Sequence, residues 1–364
     1  MKKYIFCLSV TMLLLNSCIE EPKISENTPE GNFEALWSII DTRYCYLTYK
    51  EIDWDAMHSK YAKKVDKLYN TDYNKYYPYD EWGYDNYLNY ENKEYALFDI
   101  FGEMLAELKD GHVNLYSNFD ISRYDKWYTD SADNYNSSVV FSDNYVGKKF
   151  RVAGGFRYGT LRNNSDIGYI GYSSFSNGFS DANVRNIFQS FSDCKGLIID
   201  VRNNGGGALN YSEQLASYFF EKETITGYMR FKNGAGHDDL SEPTAVKTPA
   251  HATIRWQRPV VVLTNRLSYS ATNDFVNRIN HAPNAYTVGS WTGGGGGMPL
   301  SSELPNGWMV RFSACPMYDI NMNHTEMGIA PDYHVITTAE DAEQGIDAVI
   351  NKAVEIIKST VGGL

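Results

Sequence analysis

The sequence predicts an α/β core preceded by a smaller helical part. Two strand–turn–helix units carry the first half of that reading. Residues 196–201 and 259–263 are short, continuous apolar runs, the pattern of strands buried on both faces. Each run is followed by a turn and then by apolar residues at helical spacing, and alternation of such units favours a layered α/β arrangement. The second half rests on residues 32–112, where apolar side chains recur at three- and four-residue steps.

The elements follow in order. Lys2 and Lys3 open the chain, residues 5–15 form an apolar run too short to span a bilayer as a stable helix, and Leu15-Asn16-Ser17-Cys18 follows. This is the layout of a secretory signal, and its ending resembles a bacterial lipobox. The resemblance implies that residues 1–18 are the signal, with Cys18 lipid-modified as the first residue of the mature chain; ordinary secretion with a free Cys18 is the alternative. The protein is then expected to be exported and lipid-anchored in the cell envelope, at the outer membrane. Glu20-Glu21 resembles an acidic tag for the outer cell surface. Residues 19–31 are polar with two prolines and read as a tether.

Phe33, Leu36, Trp37, Ile40 and Tyr44 share one helical face, and Asp53 is placed to cap a second helix before Trp54, Met57 and Tyr61. Residues 69–90, rich in Tyr, Asn and Asp, read as a loop or irregular insert. Leu97, Ile100, Phe101, Met104, Leu105 and Leu108 mark a third helix. Residues 113–165 alternate β-prone runs, such as Ser138-Val139-Val140-Phe141, with Asn/Asp/Gly turns, and read as an irregular β connector. The α/β core is expected over residues 166–358: strands at 167–172, 196–201, 259–263, 286–289 and 308–312, and helices at 184–191, 212–220 and 341–357.

Composition excludes some partners. The 364-residue chain carries a formal charge of −12 and no Lys/Arg block, which argues against nucleic acid. Its 29 tyrosines are not interleaved with basic residues as a stacking groove requires. Cys45, Cys194 and Cys315 lack metal-ligand or disulfide spacing and read as small buried side chains.

Ser270 falls where the strand at 259–263 gives way to a helix with Ala271, Phe275, Val276 and Ile279 on one face. A hydroxyl there sits beside the free N–H groups of a first helical turn, which suits a nucleophile whose intermediate is an oxyanion. On this stretch alone, a serine at that point reads first as an N-cap. Gly205-Gly206-Gly207 lies between a strand and a helix. It lacks a nucleotide fingerprint, and its N–H groups suit a small anion or simply a tight turn. Gly293 to Gly297 are five consecutive glycines, a flexible loop or a close backbone approach. His112 and Glu326, taken singly, read as a loop histidine and a solvated carboxylate.

Four separated pieces occur together and in order: Leu108-Lys109-Asp110-Gly111-His112; Ile199-Asp200-Val201-Arg202-Asn203-Asn204-Gly205-Gly206-Gly207; Asn265-Arg266-Leu267-Ser268-Tyr269-Ser270-Ala271; and Glu326-Met327-Gly328-Ile329-Ala330-Pro331-Asp332. In these the chain resembles the carboxy-terminal processing and tricorn-core family of serine peptidases, over roughly residues 32–358. The resemblance implies a ClpP/crotonase-like α/β core with an N-terminal helical domain. Residues 117–165 look too short for the PDZ domain many members carry, so none is expected. The Ser–Lys style of the family has a Lys in Thr-Phe-Gly-Lys-Gly, where this chain has Thr292-Gly293-Gly294-Gly295-Gly296. The resemblance is therefore to the tricorn-type style. It implies Ser270 as nucleophile, His112 as general base and Glu326 as the group holding the imidazole. The backbone N–H of Ala271 and one from Gly205 or Gly206 would bind the oxyanion. The tricorn enzyme has Ser just before its His, where this chain has Gly111.

The resemblance thus implies an endopeptidase working through an acyl-enzyme on peptide or protein substrates, membrane-attached through its lipid, with no metal or cofactor. Two alternatives stand beside it. One is a silent family member that binds a peptide or hydrophobic ligand in the cleft. The other is a Ser–Lys peptidase drawing its lysine from elsewhere.

Overall fold

The fold is described from a computed structural model, which describes residues 26–70, 93–126 and 135–362. The signal with Cys18, most of the tether and nearly all of the Tyr-rich insert lie outside these residues. No helix among the described residues is long and apolar enough to cross a membrane.

Three helices come first. α1 (Pro29–Arg43) starts at Thr28, whose hydroxyl accepts from Gly31 N at 3.0 Å. It therefore begins inside the stretch expected as a tether, because Thr28-Pro29 is a start signal that polar composition hides. α2 (Trp54–Asn70) starts at Asp53, whose carboxylate accepts from Ala56 N at 2.9 Å. α3 (Lys93–Ala106) follows. Then come β1 (Asn114–Tyr116), β2 (Ile121–Arg123), α4 (Ser137–Val140), β3 (Arg151–Ala153), β4 (Phe156–Leu161) and β5 (Asn164–Tyr172). α5 (Asp181–Ser190), β6 (Gly196–Asp200), α6 (Leu209–Ser217), β7 (Thr224–Met229), β8 (Thr244–Thr248), β9 (Val260–Thr264) and α7 (Ala271–Ile279) continue the chain. It closes with β10 (Ala285–Gly289), β11 (Gly297–Glu303), β12 (Met309–Tyr318), β13 (Tyr333–His334), α8 (Ala339–Glu343) and α9 (Ala348–Gly362).

Seven strands form the core sheet in the order β13-β10-β9-β6-β5-β4-β3. Those from β13 to β5 run parallel, while β4 and β3 are antiparallel. Side chains of β6 and β9 alternate between two cores. Leu197, Ile199, Val260 and Val262 pack with Val184, Leu215 and Phe275 of α5, α6 and α7. Ile198, Val261 and Leu263 pack with Val349, Ile350 and Ala353 of α9. Helices on both faces explain why these strands read as unbroken apolar runs. A six-stranded sheet, β2-β1-β12-β7-β8 with β11 also paired to β12, lies under the N-terminal helices. There Val310, Phe312 and Ala314 of β12 pack against Leu36, Phe101 and Leu105.

Three elements differ from the sequence-based expectation. The connector at 113–165 is built into both sheets, supplying β1 and β2 to one and β3 and β4 to the other. Its run at residues 138–141 is mostly helical, because the Asn136 side chain accepts from Ser138 N at 3.0 Å and caps α4, overriding the β preference of two valines. The helix expected at 341–357 is two helices, α8 and α9. Gly345 between them takes a left-handed φ of 72°, and α9 begins at the Asp347 carboxylate, which accepts from Ile350 N at 2.9 Å.

Asp347 also belongs to a buried ion network. Arg202 Nη2 lies 2.7 Å from Asp200 Oδ2 and 2.9 Å from Asp347 Oδ2, and Tyr169 donates to Asp200 Oδ2 at 2.9 Å. This network ties the end of β6 to the start of α9 and fixes the chain just before the Gly205–Gly207 turn. Removing one member leaves a buried charge uncompensated. Asp347→Ala should therefore destabilise the fold by about 3–5 kcal/mol in urea unfolding. Truncating the surface partner Glu355 of Lys352 should cost less than about 0.5 kcal/mol.

Candidate active site

Ser270 links β9 to α7 with φ 58° and ψ −118°. A non-glycine residue in that region costs about 1–3 kcal/mol and persists only where its surroundings impose it. Its side chain caps nothing, which removes the N-cap reading. The hydroxyl instead lies 2.9 Å from His112 Nε2. Tyr269, the preceding residue, sets its ring 5.0 Å from the His112 ring.

His112 follows α3 at the turn before β1. Asp110 shapes this turn: its Oδ1 accepts from His112 N at 2.8 Å, and its Oδ2 accepts from Tyr44 and Ser313 hydroxyls at 3.0 and 2.9 Å. Asp110 is fully enclosed. Burial alone would raise its pKa, but the Lys50 charge, His112 and the donated hydrogen bonds hold it below the usual carboxylate range. The His112 ring is 3% exposed. Burial, opposed in part by Asp110, pushes its pKa down to about 4, so the imidazole is neutral and ready to accept a proton.

Lys50 is the residue that sequence reasoning missed. It comes from the segment between α1 and α2, and its Nζ donates to Glu326 Oε1 at 2.7 Å and lies 3.7 Å from Asp110 Oδ2. Its ammonium also sits 5.5 Å from the centre of the Tyr46 ring. Burial works against this charge, yet Asp110 and Glu326 outweigh it and raise its pKa. No spacing in the sequence marks Lys50. Only the packing of α1 and α2 on β12 brings it here.

Glu326 is therefore placed differently from the sequence-based expectation. Its carboxylate binds Lys50 and makes no direct hydrogen bond to His112: Glu326 Oε2 and His112 Nδ1 are both buried without one. A buried carboxylate is stabilised far more by an adjacent ammonium than by a neutral imidazole. The two side chains nevertheless share a seam, since the backbone of Gly296 favours the charged Glu326 and that of Gly297 the charged His112. Burial, then Asp110, push the Glu326 pKa up to about 8, against the pull of Lys50.

The glycine run at 293–297 is buried and forms this seam. Tyr269 N donates to Asn204 O at 3.0 Å, Ser270 N to Gly294 O at 2.9 Å, and Gly295 N to Glu326 O at 3.0 Å. A Cβ on Gly294 would lie 1.8 Å from Glu326 O, so the backbones pass too closely for any side chain. Of the two glycines considered as oxyanion donors, Gly206 has its N–H committed to Asn204 Oδ1 at 3.0 Å. Gly206 lies against the nucleophile turn, where a Cβ would come within 2.8 Å of Ser270 Cβ. Gly205 beside it faces open space.

A serine paired to a buried histidine, beside a helix N-terminus at the ends of parallel strands, is the arrangement of a serine-type hydrolase. Comparisons with known proteins narrow the class. The profile of peptidase family S41 matches residues 166–335, and that of the tricorn protease C1 domain matches residues 25–73. A solved structure of a putative peptidase from Parabacteroides merdae is 45% identical with a TM-score of 0.79, covering 91% of this chain and 97% of that one. Mature CPAF has a similar fold at 13% identity, with a TM-score of 0.62 over 91% of this chain and 98% of that one. A carboxyl-terminal-processing protease from a Picosynechococcus strain is 26% identical over 174 residues, which span 47% of this chain and 39% of that relative. The chain belongs to peptidase family S41, whose fold it shares.

The buried histidine sets a pH dependence. Reaction of Ser270 with a fluorophosphonate needs neutral His112. With its pKa lowered to about 4, the labelling rate should stay level from neutral pH into the acid range and fall only as pH drops through about 4. Lys50→Met removes a positive charge that disfavours the imidazolium, so the fall should move to higher pH. Lys50→Arg should restore the original profile. Labelling rate against pH for the three proteins checks both statements.

Proposed function

We propose that the protein is a serine endopeptidase of the tricorn-type style, cutting peptide bonds through an acyl-enzyme on Ser270. The observation that carries this reading is the 2.9 Å contact between Ser270 Oγ and His112 Nε2 on a strained turn. Ser270 Oγ attacks the scissile carbonyl carbon as His112 Nε2 takes its proton. The resulting oxyanion accepts hydrogen bonds from the N–H groups of Ala271 and Gly205. Collapse breaks the C–N bond, and the leaving amine takes the proton from His112. Water, deprotonated by His112, then cleaves the ester and Ser270 regains its proton. Glu326, paired with Lys50, makes no direct hydrogen bond to His112 and holds Lys50 in place beside Asp110. Loss of one oxyanion donor in such a site costs ~10²–10³ in rate.

A binding protein without turnover is the second reading, favoured by the lack of a direct hydrogen bond from the Glu326 carboxyl to His112. Export and a lipid anchor on Cys18 belong to the same proposal and rest on the signal layout alone. Cys18→Ser should move the protein from the membrane fraction to the soluble fraction on cell fractionation.

The peptidase reading is tested by labelling residues 19–364 with a fluorophosphonate. Ser270→Ala should abolish labelling and His112→Ala should slow it by ~10²–10⁴, with a smaller loss in Glu326→Gln. A folded wild-type protein that does not label would overturn the reading in favour of binding without turnover.

A further inference from the structure

Neither buried carboxyl near His112 grips its ring: Nδ1 has no hydrogen bond, and Nε2 faces Ser270 Oγ at 2.9 Å. The two acids differ in what they do hold. Asp110 Oδ1 accepts from His112 N at 2.8 Å, while Asn114 Nδ2 donates to His112 O at 2.9 Å, so the histidine is clamped through its main chain on both sides. Asp110 Oδ2 accepts from the hydroxyls of Tyr44, just after α1, and of Ser313 on β12. Donors of this kind favour the charged form of a carboxylate. Against burial, the Lys50 charge, His112 and the bonds from His112 N and Ser313 keep the Asp110 pKa below the usual carboxylate range.

Glu326 is engaged elsewhere. Its Oε1 accepts from Lys50 Nζ at 2.7 Å, and its Oε2 has no hydrogen bond. Burial and the Asp110 charge push its pKa up to about 8, so at neutral pH it carries a proton more often than a charge. The remaining groups around the ring do not favour its charged form. Burial, Arg311 of β12 and Lys50 all oppose the imidazolium, and Asp110 is the charge that favours it. Tyr269, whose ring lies 5.0 Å away, is kept neutral by its own burial.

We propose that Asp110, rather than Glu326, is the carboxylate that positions His112 and stabilises the imidazolium formed as Ser270 gives up its proton. Asp110 is thus a positioning residue that acts through the histidine. The inference rests on the peptidase reading and deepens it by naming what supports the base. A buried anion acts on a nearby imidazole without touching the ring, because water and salt screen it weakly there.

The test follows fluorophosphonate labelling rate against pH for wild type, Asp110→Asn and Glu326→Gln, with folding checked by circular dichroism. At neutral pH Asp110→Asn should label ~10–10²-fold more slowly, as loss of a neighbouring opposite charge implies, and Glu326→Gln should lose less. Asp110→Asn removes the charge that favours the imidazolium, so its fall in acid should come at lower pH than that of the wild type; Glu326→Gln should fall with the wild type. A wild-type rate in Asp110→Asn, a slower rate with an unmoved fall, or an equal loss in Glu326→Gln overturns the inference. If Asp110→Asn does not fold, Ser313→Ala replaces it. Losing that donor raises the Asp110 pKa, so labelling should begin to fall at higher pH than in the wild type, and a coincident profile overturns the inference. Titration of the His112 ring by NMR, its signal assigned with His112→Gln, separates this from the peptidase reading. A wild type that labels, with a ring that titrates alike in both proteins, rejects the Asp110 role alone. A wild type that does not label, with a ring that titrates at lower pH in Asp110→Asn, rejects turnover alone.

Discussion

The site depends on one close approach of backbones. The glycine run at 293–297 lies between the nucleophile turn and the Glu326 loop, bonding Ser270 N through Gly294 O and Glu326 O through Gly295 N. A side chain on Gly294 would collide with the Glu326 carbonyl at 1.8 Å. Because neither neighbour can move away without losing hydrogen bonds, the seam imposes the left-handed conformation on Ser270. It turns the hydroxyl from capping its own helix toward His112. The Arg202 network holds the other flank. Its buried ion pairs anchor the stretch leading into Gly206, which abuts Ser270. The strain at the nucleophile is thus held from two sides by structure formed far from it in sequence.

The N-terminal helices belong to the chemistry as well as to the packing. They bury apolar faces on β12, and that docking delivers Tyr44, Tyr46 and Lys50 to the site. Asp110 and Glu326 are two buried carboxylates near one imidazole. Desolvation and mutual repulsion act on them unequally: Asp110 is held below the usual carboxylate range, while Glu326 is pushed up to about 8 against the pull of Lys50. One ammonium, 3.7 Å from Asp110 Oδ2 and 2.7 Å from Glu326 Oε1, offsets part of that repulsion. Loosening of the helical part from the sheet would be felt first in the electrostatics of His112.

Much of this was legible in the sequence where local pattern and fold agree. The runs at 196–201 and 259–263 read as doubly buried strands because helices do cover both faces of β6 and β9. Ser270 and His112 could be named from ordered motifs, and the fold brings them within 2.9 Å across 158 positions of chain. The misses share a physical origin. Asn136 capped a turn of helix in a β-prone stretch, and Gly345 divided a periodic segment that hydrophobic spacing alone made continuous. Glu326 was expected on His112, but a buried carboxylate takes the stronger electrostatic partner, and that partner came from a region with no motif to announce it. Long-range ion pairing leaves no periodic trace, so Lys50 was invisible until the helices were docked.

The same seam decides which lysine can enter the site. In the Ser–Lys style that the sequence resembles in part, the base stands at the position of Gly295. Here Gly295 has a φ of 72°, and a Cβ on it would lie 2.4 Å from the Tyr269 ring. That ring packs on His112, so the space a lysine stem would need is filled by the residue that braces the imidazole. The two solutions exclude one another sterically: a chain that buries Tyr269 against a histidine base has no room for a lysine on the glycine run. A lysine is present all the same, but it comes from the segment between α1 and α2, and its ammonium goes to Glu326 and Asp110. There it offsets the charge of two buried carboxyls, while the Ser270 hydroxyl keeps its hydrogen bond to His112.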